Sequence, residues 1–173
     1  TQERGPLVRA RNAFRLARFG LFDAFCWPST ACVLVVSEQD RLRCLHTRPG
    51  RQVLVVPNGV DSSAVTPPPC GEAPQGVILF TGDLGFAPNI EAAELLALHL
   101  LPMVLASHPD AELRLVGRHP HPRVQRLAGP RVRVIANVPD MRPYLREATV
   151  FAAPHFTGAG TRTKILEAMA AGL

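Results

Sequence analysis

The segment 155–172, HFTGAGTRTKILEAMAAG, places two glycines, three threonines, an arginine and the chain's single lysine directly before an alanine-rich helical pattern. Gly158 and Gly160 permit backbone angles closed to other residues and let a ligand approach the main chain. The amides of Gly160, Thr161 and Arg162 would lie at a helix start, where unpaired N–H groups and the helix dipole favour an anion. Arg162 adds a planar fork for phosphate oxygens and Lys164 a point charge. Glu167, one turn further on, can accept both hydrogens of a vicinal diol, as a ribose presents. The pattern therefore predicts a seat for a nucleoside diphosphate. The competing reading is a glycine turn with a Lys164–Glu167 surface ion pair. It is disfavoured because a cationic first turn opposes the dipole unless an anion bridges the two.

Other chemistries fit less well. The chain lacks G-x-x-x-x-G-K-[ST], which removes a P-loop, and Gly158-x-Gly160 lacks the third glycine of a dinucleotide fingerprint. Cys26, Cys32, Cys44 and Cys70 have no zinc-like spacing, and His119 and His121 in RHPHP read as loop residues, so no metal is assigned. Aromatics are only 6% of the chain, too few to interleave a nucleic-acid-binding face. The net charge of +5 draws on Arg4, Arg9, Arg11, Arg15 and Arg18 near the start. A solvated basic helix face is the first reading of that cluster, and contact with an anionic membrane surface the second.

Positioning such a loop requires a sheet. In 173 residues, 47% of them apolar, strand and helix patterns alternate. A helix is predicted over about 6–25, a strand at 32–37, a helix starting at Ser37 with Glu38 and Asp40 behind it, and a strand before Pro57-Asn58-Gly59. The unbroken apolar run at 32–37 predicts a strand buried on both faces. Segment 61–76, with four prolines, reads as a linker. Then come strands at 77–82, 112–117, 131–137 and 149–154, separated by helices, the longest one kinked or split by Pro102. This alternation predicts an α/β fold: a Rossmann-like parallel sheet wrapped by helices on both faces, with ligands at the carboxyl ends of the strands. No uninterrupted apolar run approaches ~18 residues, so no membrane span is expected. The missing initiator methionine and the abrupt C-terminus suggest a fragment.

VVPNGVD (55–61), FTGDL, LVG, ANVPDMRPYLREA and above all G-x-G-T-R-x-K-x-L-E-A-M-A-x-G resemble, in order and spacing, the family 4 retaining glycosyltransferases. The resemblance implies a GT-B arrangement. Residues 1–60 would be the C-terminal part of the acceptor domain, and 77–173 most of the donor domain. It implies transfer of a sugar from a nucleoside-diphosphate donor to a glycan or lipid-linked acceptor, with Arg162 and Lys164 stabilising the departing diphosphate. It implies neither cofactor nor metal, a cytoplasmic location with peripheral membrane contact, and inactivity of this fragment alone. Gly82 and Gly85 would approach the diphosphate and sugar, Asn137, Val138 and Asp140 the base, and His155 would shape the pocket. Glu167 matches the second of the family's two glutamates, while the first falls on Ala159. The loop GDLGFAPN carries Asp83 where many relatives carry basic residues. Alternatives are a GT-B nucleotide-sugar epimerase and a non-catalytic nucleotide-sugar-binding module.

Overall fold

The computed structural model describes residues 13–14, 17–18, 20–21, 30–47, 49–63, 76–155 and 162–173. The chain forms two compact units, 1–56 and 57–173. Most of the expected first helix and of the linker 61–76 lies outside the described residues; the six residues described between 13 and 21 are helical.

In the first unit, β1 (Val33–Val35), α1 (Glu38–Thr47) and β2 (Val53–Val55) make a parallel β-α-β step with Val33 opposite Val53. Ser37 caps α1 as expected: its Oγ accepts from the Asp40 amide at 3.1 Å. The expectation of a strand buried on both faces is corrected here. Val53 is buried, but Leu34 and Leu54, which point to the opposite face by the two-residue period, are 64% and 47% exposed. The apolar run registers β propensity, and only one of its faces is covered among the described residues. Both strands are also shorter than the apolar runs that predict them.

The second unit holds a four-stranded parallel sheet in the order β5-β4-β3-β6. Its strands are β3 (Val77–Asp83), β4 (Glu112–Arg118), β5 (Val132–Ala136) and β6 (Val150–Phe151). Side chains alternate between two cores. Phe80, Leu113 and Leu115 meet Ile90, Ala93, Leu96 and Leu101 of the helix after β3 on one face. Leu79 and Val116 meet Leu145, Ala148, Ala168 and Ala171 on the other. Each fully buried leucine or phenylalanine contributes roughly 1.5–3 kcal/mol of burial. The helices opposing these cores are α2 (Ala87–Leu95), which continues through a π turn (Leu96–Leu100) into α3 (Leu101–Leu105), then α4 (Pro122–Gln125), α5 (Arg142–Arg146) and α6 (Thr163–Ala170).

Pro102 does not split its helix. The Leu101 amide bonds back five residues to Leu96, and this wider turn takes up the misfit that a proline ring imposes on the preceding carbonyls. The continuous helix Ala87–Leu105 then has 19 residues at a mean hydropathy of 1.2, long and apolar enough for a bilayer. Its Ile90, Ala93, Leu96 and Leu101 nonetheless pack into the sheet core. Strand β6 is shorter than the predicted 149–154: beyond Phe151 only the Ala152 amide still reaches Leu79, and Pro154 has no amide to offer.

Candidate functional site

From β3 the chain steps outward to β4 and β5, then returns to the opposite side of β3 for β6. The switch point, where an open parallel sheet parts its loops into a crevice, therefore lies between β3 and β6. The described residues bordering it are 82–86, at the end of β3 and just beyond it, 152–155 after β6, and the start of α6.

Lys164, on the first turn of α6, reaches into this gap rather than into solvent. Its Nζ donates to the Thr81 carbonyl at 2.9 Å and to Asn89 Oδ1 at 3.0 Å, and lies 3.3 Å from His155 Nε2. The Phe80 ring sits beneath, its centroid 4.5 Å from the ammonium, in cation–π range. Three elements thus meet at one cation. Gly82 makes room for it: at φ 151 the position suits glycine, and a Cβ would stand 2.9 Å from Asn89 Nδ2 and 3.2 Å from Lys164 Nζ. The residue capping α6 is Arg162, in extended conformation. The first turn of this helix holds no acidic residue.

The neighbouring strand ends are knitted into a floor. The Leu84 amide donates to the Arg118 carbonyl and the Asn137 amide to the Gly117 carbonyl, both at 2.8 Å. His119 and Asn137 adopt left-handed backbone, φ 49 and 54, and the Asn137 side-chain oxygen accepts from the His119 amide at 3.3 Å. Asp83 Oδ1 accepts from the Gly85 amide at 2.9 Å, and this bond first, with His119 nearby, holds its carboxyl below the usual range.

Burial, then the charge of Arg162, lowers the Lys164 ammonium to about 8. Burial, then the charge of Lys164, likewise lowers His155. The stability consequence has a definite sign. The native protein releases the Lys164 proton near pH 8, whereas an unfolded chain holds it to about 10.5. Between those values the unfolded chain binds more protons, so stability from this group rises with pH. Thermal melts of wild type and Lys164→Met should diverge in favour of wild type as pH climbs from 8 towards 10.5. A constant difference across that window would contradict the assignment.

The structure brings together Gly82, His155, Arg162 and Lys164 at the switch point. Gly85, Asn137, Val138 and Asp140 line the ends of β3 and β5. Gly85 and Asn137 are exposed and Val138 half-buried, while Asp140 accepts from the Arg142 amide and pairs with its guanidinium at 2.9 Å. Glu167 is exposed on α6 one turn after Lys164. Gly158, Gly160 and Thr161, with Ala159, fall outside the described residues. Sequence reasoning missed Asn89, Thr81 and Phe80. A signal for Asn89 existed: a polar residue in the first helical turn behind a glycine-bearing strand end.

Comparison with known proteins decides the family. Residues 75–173 match the family model described as glycosyl transferases group 1. The chain belongs to that family. A phosphatidyl-myo-inositol mannosyltransferase of Mycolicibacterium smegmatis is 34% identical over 131 residues, which cover 71% of this chain and 33% of that protein. The chain thus spans about a third of the length of the curated relative it matches. Among solved structures, TarM superposes at a TM-score of 0.67 with 13% identity, over 83% of this chain and 28% of TarM. The GtfA/B complex gives 0.63 and 16%, over 88% of this chain and 31% of the matched one. These two share the fold. Membership in the group 1 glycosyl transferases agrees with the parallel sheets flanked by helices described above.

Proposed function

We propose that this group 1 glycosyl transferase chain carries the donor site for a nucleoside-diphosphate sugar, and that the whole protein moves the sugar to a glycan or lipid-linked acceptor with retention at the anomeric carbon. The observation supporting this reading most is the Lys164 ammonium, held at the switch point between β3 and β6 on the first turn of α6. A cation at a helix start, in a partly desolvated crevice, suits a diphosphate whose charge grows as the sugar departs. A TarM variant has been solved with UDP and α-GlcNAc-glycerol, a nucleotide and a sugar-bearing molecule bound by a protein of this fold. Arg162 would share the diphosphate charge and Glu167 would take the ribose hydroxyls. The epimerase alternative would have to draw acid–base chemistry from the same crevice, and His155 is held there in a neutral-favouring setting.

Calorimetry with UDP, GDP and ADP tests the site. One of them should bind wild type, and Arg162→Ala and Glu167→Ala should each weaken it by about 10-fold, the scale of one charged hydrogen bond. Both variants binding like wild type would refute the assignment. Anomeric analysis of the product made by the complete protein from the matching nucleotide-sugar tests retention: an inverted product removes that part of the reading.

A further inference from the structure

We infer that Asn89 is the positioning residue of this site, holding the Lys164 ammonium so that one of its N–H bonds is presented to the donor diphosphate. The inference rests on the donor-site reading above and deepens it.

Asn89 is 8% exposed, in the first turn of α2. An asparagine near a helix start ordinarily turns to its own backbone or to water. This one is engaged at both ends across the sheet edge. Its Nδ2 donates to the Asp83 carbonyl at 2.8 Å, while Oδ1 receives Lys164 Nζ at 3.0 Å and His155 Nε2 at 2.9 Å. The Asp83 carbonyl decides which way the amide faces. Turned over, it would set two carbonyl oxygens together and press its NH2 against the ammonium.

That orientation fixes the imidazole. Nε2 must carry the hydrogen donated to Oδ1, so it cannot also accept from Lys164. The lone pair then sits on Nδ1, which is buried and makes no hydrogen bond of good geometry, the Ala153 backbone bearing on the ring less than burial and Lys164 do. A buried polar atom left unpaired is costly, and here it follows from serving the neighbouring bond. Lys164 has three N–H bonds. Two are taken by Thr81 O and Asn89 Oδ1, which leaves one without an acceptor among the described residues. Fixing two of three donors orients the last before any ligand arrives, the kind of preorganisation that favours charge stabilisation.

The charged and titratable groups around Lys164 are His155 after β6, Arg162 at the cap of α6, Glu167 one turn along α6, and Asp83 at the end of β3. The Asp83 carboxylate is turned to the Gly85 amide and to His119, not to the ammonium.

The test uses the whole 173-residue chain, with UDP, GDP and ADP as probes. Because Lys164 is the single lysine, ¹³C-lysine labelling reports its titration as one NMR signal. Asn89→Ala should weaken binding of the preferred nucleotide by about 10-fold. Asn89→Asp should move the Lys164 midpoint upward by about one unit or more, since it sets a carboxylate against the ammonium. Asn89→Lys combined with Lys164→Met, which supplies the cation from the other side of the gap, should regain binding lost in Lys164→Met alone. If wild type binds none of the three nucleotides, the donor-site reading falls, and this inference with it. If Lys164→Met abolishes binding while Asn89→Ala binds like wild type, the inference alone falls. Should Asn89→Ala not fold, an unchanged Lys164 midpoint in Asn89→Asp overturns it.

Discussion

Gly117→Ala is expected to destroy the cooperative melting of the C-terminal sheet, or to lower its midpoint by more than about 12 °C. Gly117 pairs with Gly82 on β3 and with Ala136 on β5, at the centre of the sheet. A Cβ built there would lie 1.7 Å from the Gly82 carbonyl oxygen and 3.1 Å from Leu84 Cγ. The first obstacle is backbone, so no rotamer change relieves it. β4 would have to part from β3 along a ladder that also carries the floor of the crevice. Ordinary overpacking costs about 1–3 kcal/mol where side chains can give. A main-chain collision stands above that range, against a total stability of roughly 5–15 kcal/mol. At about 4–8 °C per kcal/mol for a unit of this size, the shift follows. Circular dichroism melts of the chain decide it, and a midpoint within about 2 °C of wild type would show that the two strands can separate cheaply.

Lys164→Met is expected to reduce affinity for the preferred nucleoside diphosphate by about 10- to 100-fold, while leaving the ligand-free melting temperature at neutral pH no lower. The first half follows from losing a charged hydrogen bond of about 1.5–3 kcal/mol to the ligand. The second follows from the lowered Lys164 value: at neutral pH folding keeps a charge in a partly buried place that disfavours it. Methionine keeps the unbranched stem over Phe80 without the charge. Differential scanning fluorimetry reads both at once. Added nucleotide should raise the melting point of wild type, as any ligand selective for the native state does, and should do so far less in the variant. A variant that melts lower yet binds as tightly would make Lys164 a structural residue. Lys164→Arg is not a conservative control, because a planar fork does not fit between Thr81 O and Asn89 Oδ1 as a compact ammonium does.

The sheet is legible because each strand from 77 onward is an apolar run or an alternation of apolar and charged residues ending at a glycine, asparagine or proline, and helical spacing fills the gaps between. Lys164 is legible as a cation at a helix start. Its direction is not: the partner Asn89 lies 75 residues earlier in the chain, and their contact exists only once β3 and β6 are neighbours. Asn89 itself is legible as a polar residue in the first turn of a helix, but its sequence position does not show that the amide turns away from its own helix to the end of β3 and to Lys164. Pro102 signals a break, yet the register change that accommodates it depends on Leu96 and Leu101 both being needed in the core. The run at 32–37 announces a strand, but which of its faces is covered is a property of its neighbours and not of the run.

Among the 19 lysine and arginine residues only one is lysine, and it stands in the crevice. Guanidinium groups stay protonated and unreactive in water, so the chain has one side-chain amine able to act as a nucleophile. That amine begins to lose its proton near pH 8, far earlier than a solvated lysine. Amine-directed acylating reagents, which leave arginine untouched, would therefore find a single side-chain amine in this chain, lodged where the nucleotide is proposed to sit. These 173 residues thereby carry their own address for covalent labelling, and occupancy of the site should be readable as protection of that one amine.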